Sequence, residues 1–451
     1  MKENRILLWY DVEDFITPES DEALAELLKM MDSLGVKSTL KLVTEKARVL
    51  KQRGREDIFR RMARHEIGYH TEKHSVHPVT TEYLDGMRFA AGAKEFELRE
   101  KSAFLELQEL TGQRLTTYGQ PGAAWASQTY PALRKWGVPS YLDWHNIIDM
   151  DGRAYWYGGL PNWINLWATP RVEFRGDDLE QAKRRFDQIV TGERDYQLIS
   201  IWYHPCEFAC EEFWDAVNFA DGKNPADGIL RPARVCPPET MHQRVETLRV
   251  FLEHTLTYSN TTYLTASEAL ALEKSQQEAL PAEMLREICA AVEGKVNYYA
   301  DGVRTLSASE LLVLMGKYVG KQHLTGDLRY GPEQEGVSRI CSEVTLSQLG
   351  GAVLEQYETV LGYPQLPVVY RIGENAITPA DAFATLAEAI TCGVRPDTKV
   401  AVRQGTLACA SHVKGNAAWG QNWPIFAKDL NVSRTIENAR LQTWTLKPAL
   451  Y

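Results

Sequence analysis

Through the first two-thirds of the chain one unit recurs: a short apolar run that ends in polar residues, then a helical pattern. Arg5 to Tyr10 is the first such run, and it closes on Asp11, Glu13 and Asp14. Pro18 and Ser20 then open a helix with Leu24, Leu27, Leu28 and Met31 at helical spacing, and Gly35 ends it. Val36 to Val43, Glu66 to Tyr69, Thr116 to Tyr118, Ser140 to Asp143 and Leu198 to Tyr203 predict further strands. Asp57 to Arg64 and Glu239 to Thr257 predict further helices, and Thr261 to Leu272 a last strand and helix. Strands separated by helices are not joined as hairpins, so the alternation demands parallel pairing in a barrel or an open sheet. Side chains that carry chemistry are then expected on the loops at the C-terminal ends of the strands.

A chain of 451 residues predicts two or three domains, or one barrel with an appendage. The polar stretch KSQQEAL, Lys274 to Leu280, marks the expected boundary, between a first unit at 1–275 and a second at 281–451. The second unit reads as smaller, mostly helical and α+β. Within it TLSASELLVLMGKYV, from Thr305, and AITPADAFATLAEAI, from Ala376, look alike: each has a Ser or Thr helix start, an acid in the first turn and an apolar face. No apolar run approaches the roughly 18 residues of a membrane span. With 50 basic and 60 acidic residues the net charge is −10 and no long basic run occurs, which argues against nucleic acid or an anionic membrane as partner. The seven cysteines include no CxxC pair and read as reduced, buried thiols. The chain enters its first strand almost at once, without an apolar signal core, so the expected compartment is the cytoplasm, or outside it if the chain is a trimmed mature form. Its oligomeric state is not legible.

Four separated segments carry chemistry. The first is YDVEDF, Tyr10 to Phe15, whose three carboxylates at a strand tip repel one another and call for an ion or a shared proton. HEIGYHTEKHSVHP, His65 to Pro78, holds four of the ten histidines. The spacing of His70 and His74 puts both imidazoles on one face of a helical turn, with His77 one turn later, a pattern suited to zinc and its first-row neighbours. The third is TYGQPGAAW, Thr117 to Trp125, a tight loop after a strand whose backbone N–H groups suit an oxyanion. The last is LISIWYHPCEF, Leu198 to Phe208, in which an apolar strand delivers His204 to its tip, a place suited to acid–base work. The stretch WYGGLPNWINLW, Trp156 to Trp167, adds an aromatic loop able to stack on sugar rings.

Together the motifs resemble the NodB-type polysaccharide deacetylases, carbohydrate esterase family 4. HEIGYHTEKH matches the family's H-[ST]-x-x-H motif, YDVEDF its first acidic motif in a D-x-E-D variant, and IWYHPCEF its L-x-x-H-P motif. YGQPGAAW and YLDW, Tyr141 to Trp144, sit at the third and fourth motifs. The resemblance implies a distorted (β/α) barrel holding one divalent metal ion, Zn²⁺ in the first place, with Co²⁺, Ni²⁺ or Mn²⁺ able to replace it. It implies that His70 and His74 are ligands together with an acid, Asp14 or Glu13, between which the register leaves the choice open. It implies Asp11 as the general base and His204 as the acid toward the leaving group. Gly122 and Ala123 would line an oxyanion site, with Trp125 and Asp143 toward substrate. Gly119 stands where the family has an arginine that orients the base. The second unit faintly resembles pseudomurein-binding-type repeats, which would make it a glycan- or cell-wall-binding part.

The implied activity is metal-dependent hydrolysis of N-acetyl or other acyl groups on a carbohydrate, a reaction of non-peptide C–N bonds. Two other readings stand beside it. One is a hydrolase on the same scaffold acting on a small non-sugar amide, which the glycine at 119 favours. The other is an inactive glycan-binding protein, against which the joint presence of Asp11, His70, His74 and His204 argues.

Overall fold

A computed structural model describes residues 3–145, 147–174, 178–275, 279–292, 294–415 and 423–451. Its centre is a parallel sheet wound from β1 (Asn4–Val12), β2 (Thr39–Leu42), β3 (Glu66–Tyr69), β4 (Tyr141–Asp143), β6 (Leu160–Ile164), β7 (Ile199–Tyr203) and β8 (Thr261–Leu264). β7, β1, β2 and β3 are neighbours in that order. Tyr118 bridges Tyr69 of β3 to Tyr141 of β4, and β4 pairs with β6. Ser200 of β7 donates its N–H to the Ala168 carbonyl at 2.8 Å, which joins the segment after β6 to β7 and closes the ring. β8 pairs with the first half of β1 and leads to the start of β2, where the Ala266 N–H donates to Thr39 Oγ1 at 3.0 Å. The α/β class and the distorted barrel expected from the sequence are therefore what the backbone forms. Where a strand over 116–118 is expected, Tyr118 makes two isolated bridges, one to Tyr69 and one to Tyr141.

Alternation along β1 separates the inside of the ring from the outside. Ile6, Leu8, Tyr10 and Val12 join the large core shared with the surrounding helices, including Leu24, Leu27, Leu28 and Met31 of the helix Glu19–Leu34. That helix ends at Gly35, whose φ of +66° is the left-handed turn a glycine adopts without strain. Leu7 and Trp9 point the other way, into a second cluster with Leu142, Trp163 and Leu198 from the facing strands. Two residues per period carry this inner row up to Asp11 and Glu13, so both carboxylates emerge at the mouth of the barrel.

The segment Trp156 to Trp167 is not an exposed aromatic loop. It folds into the hairpin of β5 (Tyr155–Tyr157) and β6, and Tyr157 and Trp163 are fully buried. Trp167 is 43% exposed, but its ring lies under the Arg194 guanidinium.

The stretch 281–451 holds two hairpins, each followed by a capped helix. A hairpin, Tyr299–Ala300 with Thr305–Leu306, precedes the helix Ala308–Val319, capped by Ser307 and Glu310. A second hairpin, Tyr370–Ile372 with Asn375–Ile377, precedes the helix Pro379–Thr391, capped by the Thr378 side chain on Asp381 N–H. Contacts cross between the stretches on either side of 275–281. Lys447–Pro448 pairs antiparallel with Tyr155–Trp156 and extends the barrel sheet. Ala449 and Tyr451 join the inner cluster, where Tyr451 Oη accepts from Trp163 Nε1 at 2.6 Å. Lys447 is buried against Glu310 at 2.9 Å, and Tyr330 donates to the Gly158 carbonyl at 2.9 Å. A chain whose two parts share one apolar core has no solvent-filled seam along which to separate. Among the described residues no helix is long and apolar enough to cross a membrane.

Candidate metal and acid–base site

Parallel register sets the height of each functional side chain. Asp11 of β1 is the register partner of Lys41 on β2, and Tyr10 is the partner of Tyr203, which puts His204 level with Asp11. β3 ends at Tyr69, so His70 leaves the sheet at the same mouth. Residues 70–78 form a loop and not a helical turn, with Thr71 and His74 at positive φ (65° and 51°). His70 and His74 still converge, their ring centres 4.9 Å apart.

Each imidazole is oriented by its other nitrogen. His70 Nδ1 lies 3.0 Å from the Gly119 carbonyl, and His74 Nδ1 lies 2.6 Å from Ser75 Oγ, which donates to Asp215 Oδ2 at 3.1 Å. Both Nε2 atoms are left facing Glu13 Oε2, at 3.3 Å from His70 and 2.7 Å from His74. Glu13 Oε1 accepts from Trp214 Nε1 at 2.7 Å, so the indole fixes which oxygen turns to the histidines. Two imidazole nitrogens and one carboxylate oxygen within 4.8 Å of one another form a three-point set for a divalent ion. The donor types and their outward-facing partners suit Zn²⁺ or a first-row relative. Burial opposes the charge on Glu13, yet the imidazoles of His74, His204 and His70 hold its carboxyl well below the usual range. Burial pushes His70 down; it opposes charge on His74 too, but there Glu13 prevails and the pKa rises.

Asp14, the other acid the sequence offered, is elsewhere. Its Oδ1 accepts from the N–H groups of Ile16 and Thr17, both at 2.9 Å, and its carbonyl takes Lys46 Nζ at 2.5 Å. It belongs to the turn that starts the next helix and is in none of the metal-competent groups among the described residues. His77 is also apart: its Nδ1 lies 2.8 Å from Glu82 and its Nε2 2.8 Å from the Phe219 carbonyl.

Asp11 sits between the Glu13, His70 and His74 group and His204, with Oδ1 3.7 Å from His70 Nε2 and Oδ2 3.5 Å from His204 Nε2. Behind His204, Nδ1 faces Glu207 at 3.4 Å, and Glu207 is paired with Arg171 at 2.7 Å. Burial alone would depress His204, but the charges of Glu13, Glu207 and Asp11 outweigh it and lift the imidazole to about 9. Glu207, with Arg171 and His204 beside it, is held at about 2 against its own burial. Asp143 joins the same mouth through Lys41, which contacts both Asp143 and Asp11; burial raises the Asp143 carboxyl despite that cation.

The loop after Tyr118 is brought to the rim: Gly119 accepts from His70, and Gly122 (φ +44°) packs under the Trp423 indole. Trp125, expected toward substrate, is fully buried, with its ring against Tyr130, Tyr157 and His145. Reading the sequence missed Lys41, Trp214, Asp215 and Trp423. Of these only Lys41 carried a signal, as a charge set between Leu40 and Leu42 in a predicted strand. Trp423 comes from the second unit: its ring lies edge-on to His74 at 6.2 Å and its Nε1 donates to Asp215 at 3.2 Å.

No family model matches this chain, and no curated protein matches it. Solved structures do align. The Xyl-CE4 domain of a multidomain xylanase from the hindgut metagenome of Trinervitermes trinervoides is 13% identical, covering 60% of this chain and 91% of its own, at a TM-score of 0.33. A family 4 acetyl xylan esterase from Clostridium thermocellum, in complex with a cobalt ion, is 15% identical with the same coverage and a TM-score of 0.34. A CE4-family pseudoenzyme from Bacillus anthracis is 11% identical, covering 60% and 66%, at 0.33. At such identities and scores these likenesses assign nothing to this chain, and the functional reading rests on its own side chains.

Proposed function

We propose that this protein is a metal-dependent hydrolase that removes an acyl group, N-acetyl in the first place, from a carbohydrate. One observation carries the reading: the Glu13, His70 and His74 ligand set opens beside a carboxylate, Asp11, and an independently positioned histidine, His204, in one mouth of the barrel. Glu13, His70 and His74 would hold a divalent ion, which would supply a Lewis acid for water and for the acyl oxygen. Asp11, whose Oδ1 lies 3.7 Å from His70 Nε2 beside the three-residue group, is the acceptor for the proton of the attacking water. His204, whose charge Glu207 and Asp11 support, is the donor to the departing nitrogen or oxygen.

Glu13, His70 and His74 are 1–4% exposed, and Trp423 stands over His74. Those surroundings favour a second reading of the same chemistry, a small acylated compound or non-sugar amide in place of an internal unit of a polymer. Acetate release decides between them, with Zn²⁺-loaded protein assayed on acetylated mono- and oligosaccharides, acetylated xylan and a set of small N-acyl amines. Release from sugars supports the first reading, release from small amides alone the second, and no release from any substrate removes both.

A further inference from the structure

Lys41 is the third residue of β2, between Leu40 and Leu42, which face the helices. Its own side chain turns into the barrel and is wholly buried. Nζ lies 2.8 Å from Asp11 Oδ1, contacts Asp143 Oδ2, and stands 4.2 Å from the centre of the Trp9 ring beneath it. A buried ammonium is tolerated only where charges of opposite sign meet it, and here β1 and β4 each deliver one. Gly119 makes the room. A Cβ at that position would sit 2.4 Å from Lys41 Nζ and 2.2 Å from Asp143 Oδ2, so any other residue would displace the pair. The glycine is set by space and not by backbone conformation, since its φ is not positive.

We propose that Lys41 is the positioning residue for Asp11. By holding Oδ1 it leaves Oδ2 as the oxygen turned toward His204, and Asp143 is the second anchor that keeps the ammonium in place. This assignment rests on the hydrolase reading for its consequence in turnover, but not for its geometry. A lysine that only balanced buried charge would not need to set which carboxylate oxygen is free.

The test uses the full chain. Lys41→Met keeps the stem and removes the charge. It is expected to retain one equivalent of Zn²⁺ and a KM near that of the parent, and to lose on the order of 10²-fold in kcat. Lys41→Ala leaves a hole of the right size, so methylammonium or ethylammonium should restore kcat with saturation while tetramethylammonium at equal concentration does not. Asp143→Asn keeps Lys41 and should lower kcat in the same direction with metal retained, which covers the case of Lys41 variants that do not fold. A Lys41→Met protein, or Asp143→Asn in its place, within threefold of the parent overturns the proposal, as does rescue by every cation alike. If the parent releases acyl groups from no substrate, the hydrolase reading has failed separately. A crystal structure of Lys41→Met, or of Asp143→Asn, then decides the geometry: an Asp11 carboxylate that turns supports the assignment, and one that stays in place overturns it.

Discussion

Glu13 and Asp14 are adjacent acids, and replacing each by its amide separates their roles. In Glu13→Gln the side chain keeps one oxygen. That oxygen is claimed by the buried Trp214 N–H, which donates to Glu13 Oε1 at 2.7 Å and otherwise goes unsatisfied. With the oxygen toward Trp214, the amide NH₂ points at the two imidazole nitrogens and cannot coordinate an ion. Flipping the amide restores an oxygen to the metal position but strands the indole, at a cost of about 1–3 kcal/mol, or roughly 5- to 150-fold in affinity. Loss of the carboxylate charge adds to that figure, so the amide-flip cost is a lower bound. In Asp14→Asn the remaining oxygen can still accept from Ile16 and Thr17, and no ligand position changes. Competition titration of the metal-stripped proteins against a chromophoric chelator reads both constants. Glu13→Gln should bind Zn²⁺ at least tenfold more weakly and Asp14→Asn within about threefold of the parent. The reverse order would refute the reasoning and move the acid ligand to Asp14.

Three further outcomes follow from the same geometry. His204→Ala should keep its metal and lose roughly 10²–10⁴-fold in turnover of amides, with a smaller loss on an activated ester whose leaving group needs no proton; equal losses on both remove His204 from proton transfer. His65, buried and accepting from the Ser38 N–H at 3.2 Å, is pushed by burial down to about 4, so the native state favours neutral imidazole while the unfolded chain takes up the proton near 6.5. Its contribution is present above pH 6.5 and is lost as pH falls toward 4, by about 2 kcal/mol between pH 7 and 5; an NMR titration of its ring showing a midpoint near 6.5 would contradict this. Tyr451→Ala removes a buried aromatic and strands the Trp163 N–H, so it should cost about 3–5 kcal/mol and lower the unfolding temperature, and a chain cut after Ser275 should fare worse; a fragment 1–275 as stable as the whole would show that the shared core is dispensable.

Much of the barrel was legible because its signal is local. β3 occupies the predicted residues, and β1 and β7 differ from expectation by a residue or two at their ends. His70 and His74 were visible as a spacing, although the turn assumed for them is a loop. The placing of Glu13 near Asp11 and of Asp14 away from it was also within reach, since a period of two continued from the strand tip puts Asp11 and Glu13 on one side and Asp14 on the other. The tryptophans from Trp156 to Trp167 misled because β5 and β6 form a hairpin whose pairing with Lys447–Pro448 lies far along the chain. The same long-range closure hid the shared core and placed Trp423 beside His74. Lys41 needed the register of β1 against β2, which no property of either strand alone supplies.

The central claim is that one ion on Glu13, His70 and His74 is required for acyl transfer to water. Acetate release measured as Zn²⁺ is added stepwise to the stripped protein tests it most directly. Activity should rise in proportion and break at one equivalent per chain, and His70→Ala should show no rise at stoichiometric metal. Release that is undiminished in stripped protein, or that does not depend on His70, would contradict the account.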